Sequence, residues 1–116
     1  MPLLQVFTNV KDSKIPDGFL SDMSDMFQKA IGKPMEYIEV HVVPNQMMMF
    51  AKSDAPCAVV NLVSIGQLGV EENKVISKTV SATLKDKLGI PADRMYIVFR
   101  DLEPQNCGYN NSTFAK

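Results

Sequence analysis

Apolar residues fall along the chain in two rhythms, one of strands and one of helices. Leu3-Leu4-Gln5-Val6-Phe7-Thr8 is a short apolar run and predicts a mostly buried strand. Ile15-Pro16-Asp17-Gly18 carries turn residues. Behind it Phe19, Leu20, Met23, Met26, Phe27, Ala30 and Ile31 recur at helical spacing and make one apolar face. Gly32 ends that helix as a left-handed cap, and Pro34 blocks its resumption. Tyr37 to Val43 alternates as a strand does, with Ile38, Val40 and Val42 on one face and Tyr37, Glu39 and His41 on the other. Pro44-Asn45 predicts a turn, and Met47 to Phe50 a further short strand.

The second half repeats the plan. Ala58 to Ile65 is apolar except at Asn61 and Ser64, as a central strand covered on one side would be. Gly66 breaks it, and a helix is predicted from about Glu71 to Leu88 with Ile76, Val80, Leu84 and Leu88 as its inward ridge. Gly89-Ile90-Pro91 ends this helix as Gly32-Lys33-Pro34 ended the first, and Met95 to Arg100 is the next strand. The two glycines stand 57 residues apart (89 − 32), and the same shift lays Leu3–Val6 on Val60–Val63. Two copies of one pattern predict a single α+β domain over residues 1–116, with internal repeats at about 2–50 and 57–109. Right-handed β-α-β crossovers make each pair of strands parallel and set both helices on one face of a four-stranded sheet. The other face is left open, with Val59, Val63 and Ile65 or their alternates on it. That face, with short strands at Met47–Phe50 and Cys107–Tyr109 available to neighbouring edges, predicts a closed oligomer.

Composition excludes several function classes. Net charge is −1 and no long basic run occurs, so neither nucleic acid nor an anionic membrane is an expected partner. Gln5, Lys11, Asp12 and Lys14 interrupt the N-terminal apolar run, so no signal peptide is read there, and no stretch approaches the ~20 apolar residues of a membrane span. The expected compartment is the cytoplasm. Cys57 and Cys107 form no CxxC motif, Val60 standing where a second thiol would be needed. With His41 the only histidine, neither a zinc site nor a Cys–His pair has enough donors, and no metal or cofactor is expected. Asn110-Asn111-Ser112 and Asn111-Ser112-Thr113 are glycosylation sequons in form and are read here as a structural turn. The run Met47-Met48-Met49 reads as gap-filling apolar packing.

Met1-Pro2 carries candidate chemistry. Proline is at home at the start of a strand, where no ladder donor is needed. It is also small enough for the initiator Met to be removed before it, which would leave Pro2 a free secondary amine at the edge of an apolar core. An α-amino group titrates near ~8. Burial or a neighbouring cation lowers that value, which would make the amine a general base at neutral pH.

The sequence resembles the macrophage migration inhibitory factor and D-dopachrome tautomerase family over its whole length. The resemblance is carried by Met1-Pro2, Pro16-Asp17-Gly18-Phe19-Leu20-Ser21, Gly32-Lys33-Pro34, Tyr37 to Pro44, Asp54-Ala55-Pro56-Cys57-Ala58, Ser64-Ile65-Gly66 and Gly108 to Phe114. It implies a homotrimer whose three sheets form a barrel, with a site at each subunit boundary. It implies keto–enol tautomerisation of phenylpyruvate-like and D-dopachrome-like substrates without a cofactor, Pro2 being the catalytic base. Lys33, otherwise readable as a solvated lysine at the negative end of a helix dipole, becomes the ligand of the substrate carboxylate. Ile65 becomes a backbone donor to substrate, and Tyr37, Tyr96, Tyr109 and Phe114 become aromatic walls, Tyr96 coming from the neighbouring subunit. The resemblance also implies a cytokine-like protein with a cell-surface receptor, released by a route independent of a signal peptide. A non-catalytic receptor ligand on the same fold is the alternative.

Several positions depart from the family. Val98 stands at an Asn position, Tyr109 at a Trp, Cys107 at a Val and Ala51-Lys52 at a Gly-Gly pair. Asp12 and Asn45 replace Arg and Asp of the charge pair associated with receptor binding. Val60 removes the CxxC associated with thiol oxidoreduction.

Overall fold

The computed structural model describes residues 1–116. Strand β1 is Pro2–Thr8, helix α1 Phe19–Ile31, β2 Glu39–Val43, β3 Ala58–Ser64, α2 Val70–Leu88 and β4 Met95–Asp101. The sheet order is β2-β1-β3-β4. β1 is parallel to β2 and β3 to β4, while β1 and β3 meet antiparallel at the centre. Each β-α-β unit therefore forms the parallel pair expected of it, and the two units join through their first strands.

Alternation along the central strands sets the layers. Leu4, Val6 and Thr8 of β1 and Ala58, Val60, Leu62 and Ser64 of β3 are buried beneath the helices. α1 contributes Phe19, Met23, Phe27 and Ile31 to that layer, and α2 contributes Ile76, Val80 and Leu84. Burying a side chain such as Phe27 or Leu84 stabilises the fold by roughly 1.5–3 kcal/mol each. Leu20, expected on the inward face of α1, is 55% exposed, because the buried stripe runs through Phe19 and Met23. Gly32 and Gly89 both take φ +70 and cap their helices, the N–H of Gly32 reaching Gln28 O and that of Gly89 reaching Lys85 O.

The open face carries Leu3, Gln5 and Phe7 from β1 with Val59, Asn61 and Val63 from β3, and Ile65 lies beyond the strand end. It is not uniformly apolar. Gln5 faces both His41 and Asn61 in register and bonds His41 Nδ1 at 3.3 Å, so a polar row crosses it.

Besides Leu20, the Met47-Met48-Met49 run differs from its reading as apolar packing, Met47 and Met49 being exposed, and four further expectations change. Tyr37 does not begin β2: Met35–Tyr37 is a 3-10 turn, with Tyr37 N–H donating to Pro34 O and Ile38 N–H to Met35 O, and the ladder begins where Leu3 meets Glu39. Met47–Phe50 is not a strand within the chain. Asn45 N–H and Gln46 N–H bond Val10 O and Thr8 O, after which the segment has no strand beside it. Gly108–Tyr109 does pair, but with Ser112–Thr113 of its own chain, forming hairpin β5-β6. Asn110 (φ 50) and Asn111 (φ 65) supply its turn, so the sequon residues are a turn as read. Finally, the repeat shift is 57 from Gly32 to Gly89 but 56 between β1 and β3. Leu4 faces Val40 as Val60 faces Ile97, whereas a shift of 57 would put the buried Leu4 on Asn61 of the open face.

Candidate active site

The Met1 end of β1 is where two loops and a hairpin converge. Pro2 lies opposite Ser64, and the chain continues from Ser64 to Ile65. Because β2 is parallel to β1, the turn that feeds it, with Tyr37, arrives at the same end. Gly32 turns the chain out of α1 there, and the Lys33 ammonium donates to Ile65 O at 2.8 Å. That bond leaves two of its three donors uncommitted. Gln28 Nε2 holds Lys33 O at 3.0 Å, fixing the main chain beneath it. Asp101 Oδ1 accepts from Gly66 N–H at 2.9 Å and steadies the Ile65 loop.

Hairpin β5-β6 brings the aromatic groups. Tyr109 and Phe114 stack with centroids 5.1 Å apart and planes 13° apart, and Phe114 N–H closes on Cys107 O at 3.2 Å. Tyr37 meets both rings edge-on, at 5.5 Å to Tyr109 and 5.8 Å to Phe114. Such contacts add roughly 0.5–1.5 kcal/mol per pair beyond the area they bury.

Two cavities adjoin this cluster. One, of about 420 Å³, is lined by Pro2, Glu36, Cys107 and Tyr109 among others. The second, of about 310 Å³, is lined by Lys33, Pro34, Ile65 and Pro104. Met1, Tyr37 and Phe114 line both, so Met1 stands between the lysine side and the Pro2 side. With Met1 in place the Pro2 nitrogen is an amide and carries no basic lone pair. The free amine here is that of Met1. It titrates below its ordinary value because burial disfavours its charge; Cys107 opposes this, and Lys33 adds to it.

The structure thus gathers Pro2, Lys33, Tyr37, Ile65, Tyr109 and Phe114 at one end. Tyr96 it does not bring there: Tyr96 opposes Val59, while Asp101 opposes Ser64 beside Pro2, five register positions away, or roughly 16 Å. Its ring is 68% exposed and packs against Phe50. Glu36 and Asp101 were not singled out from sequence. Glu36 and Asp101 gave no signal there, since each reads as an ordinary solvated carboxylate.

Comparisons with known proteins place the chain in a family. The family model for macrophage migration inhibitory factor matches residues 1–115. The chain belongs to the macrophage migration inhibitory factor family. It is 50% identical to the macrophage migration inhibitory factor of Xenopus tropicalis, over 99% of this chain and 100% of that one, and 45% identical to that of Mus musculus over the same shares. The solved structure of the macrophage migration inhibitory factor from Trichinella spiralis superposes with a TM-score of 0.94 at 36% identity, covering 97% of this chain and 99% of that one. The homologue from Prochlorococcus marinus does so at 0.91 and 30% identity, with the same coverage. Within this family fold, no helix of the chain is long and apolar enough to cross a membrane.

Proposed function

We propose that the chain, once Met1 is removed, is a cofactor-free keto–enol tautomerase acting on phenylpyruvate-like and D-dopachrome-like substrates. Pro2 is the general base. Its neutral amine takes a proton from the carbon α to the substrate carbonyl while the carbonyl oxygen takes one from solvent water; in ketonisation the enol O–H proton returns to solvent and the prolyl ammonium gives its proton back to that carbon. Lys33 holds the substrate carboxylate through its two uncommitted donors, and burial, with the Lys33 charge adding to it, favours the neutral form of the neighbouring amine. The Ile65 N–H binds substrate beside Lys33, and Tyr37, Tyr109 and Phe114 receive the planar enol.

One observation carries this reading: Met1, together with Tyr37 and Phe114, lines both the Lys33 cavity and the Pro2 cavity. Its removal joins a cation, an amine and an aromatic wall in one space. The site is completed in a homotrimer, where Tyr96 reaches it from a neighbouring copy. The exposed Tyr96 and Val98 and the free edges of β2 and β4 support such association. Family membership supports a cytokine-like role beside catalysis, with cytoplasmic residence and release independent of a signal peptide.

The test is intact-mass spectrometry and a phenylpyruvate assay on one preparation. Turnover by the Met-free species and none by the Met-retaining species is the expected result. Fully processed chain inactive on both phenylpyruvate and D-dopachrome methyl ester overturns it, leaving a receptor ligand on this fold.

A further inference from the structure

Arg94 lies outside the site and commits all three guanidinium nitrogens to main-chain carbonyls. Nε donates to Pro56 O at 3.0 Å, Nη1 to Phe50 O at 3.0 Å, and Nη2 to Ser53 O at 3.0 Å and Ala55 O at 2.8 Å. The same group lies over the Phe50 ring, 5.7 Å from its centroid. Phe50 in turn packs on Tyr96 at 5.1 Å between centroids. A chain of direct contacts therefore runs from Arg94 through Phe50 to Tyr96.

The segment it holds is strained. Phe50 and Ser53 exchange N–H···O bonds of 3.0 Å in both directions, and between them Ala51 and Lys52 sit at φ 52 and φ 61. A two-residue turn with both central residues left-handed favours Asn and Gly. Alanine and lysine persist there only where their surroundings over-determine the geometry. Two of the Arg94 bonds fall on the carbonyls of Phe50 and Ser53, the residues that close this turn. A lysine at position 94 would be a point charge without the planar fork that meets several carbonyls at once.

We propose that Arg94 is a positioning residue for the neighbouring subunit's substrate pocket: it keeps the strained Ala51-Lys52 turn closed, so that Phe50 fixes the ring of Tyr96 as a pocket wall. This rests on the trimeric tautomerase reading above. Arg94 touches no substrate and acts only through Phe50 and Tyr96.

The experiment uses processed, full-length chain in four forms: wild type, Arg94→Lys, the double substitution Ala51→Gly with Lys52→Gly, and the three changes together. Phenylpyruvate kinetics are read beside amide hydrogen exchange at Phe50 and Ser53. Arg94→Lys is expected to raise KM about fivefold, with kcat within about twofold, and to speed exchange at both amides. Adding the two glycines, which take the turn without strain, should return KM to within about twofold of wild type. A merely structural arginine would not show a KM restored by glycines in the turn it clamps. An unmoved KM in active Arg94→Lys protein overturns the proposal, as does a raised KM that the glycines fail to restore. Wild-type chain without turnover overturns the tautomerase reading and this role with it, while the exchange arm then reports separately whether the clamp holds the turn.

Discussion

The N-terminal amine gathers the electrostatics of the site onto one group. Burial, the largest influence, lowers the titration of the Met1 amine; Cys107 raises it, and Lys33 lowers it. A lowered amine value means that the folded chain binds its proton less readily than the unfolded chain. Stability therefore rises with pH from the lowered value up to the ordinary one, and is constant above it. Lys33→Ala should move the titration up, though not back to the ordinary range, because burial remains. Cys107→Val should move it down, because the opposing influence is lost. The pH dependence of N-terminal acylation, followed by mass spectrometry on Met-retaining chain, measures both shifts, and a downward move in Lys33→Ala would contradict this account. On the proposal that Pro2 of processed chain comes under the influence of Lys33, the acidic limb of its rate profile should follow Lys33→Ala upward. At this scale the positions of Pro2 and Lys33 at one end of the sheet were only partly legible. Met1-Pro2 alone reads equally as an ordinary strand start, and Lys33 reads as a solvated helix-end lysine until Ile65, 32 residues away, is placed beside it.

The helices and their ends were legible because their signals are local. The spacing of Phe19, Met23, Phe27 and Ile31 needs no partner to be read, and neither does a glycine followed by proline. The strands were less so. Where β2 begins depends on where Leu3 finds a neighbour, and Met47–Phe50 has strand-like composition but no strand to pair with in the chain. The half-repeat shift failed by one residue because a sheet has two faces and the glycines define only helix ends. The caps give a paired prediction. A Cβ at Gly32 or at Gly89 meets nothing within 4 Å, so replacement by Ala costs only the left-handed backbone, about 1 kcal/mol at each. Chemical denaturation should give equal losses for Gly32→Ala and Gly89→Ala. Only Gly32→Ala, which adjoins Lys33, should also weaken phenylpyruvate binding, and a loss confined to Gly89→Ala would sink the placement of the site at the α1 end.

At the scale of the whole molecule the chain carries one aromatic residue in a place its own site cannot use. Tyr96 points from the open sheet face at the end remote from Pro2, exposed apart from Phe50. Its assignment to the pocket therefore stands or falls with a second copy of the chain, and the tautomerase reading expects particles of about 39 kDa from a 12.9 kDa chain. Subunit complementation decides the point more sharply than mass. Pro2→Gly chain lacks the base but keeps Tyr96, and Tyr96→Ala chain keeps the base but lacks the wall. If each site takes its base from one chain and its wall from the next, chains mixed equally and reassembled at random in a closed ring rebuild about one site in four. Turnover should then recover to roughly a quarter of wild type, from two chains each nearly inactive alone. If Tyr96 serves the site of its own chain, no mixture can place both intact residues in one site, and activity stays at the level of the parents. Native mass spectrometry of the mixture resolves hybrids from the parental trimers, so a flat result from fully hybridised trimers would remove Tyr96 from the pocket and take the Arg94 role with it.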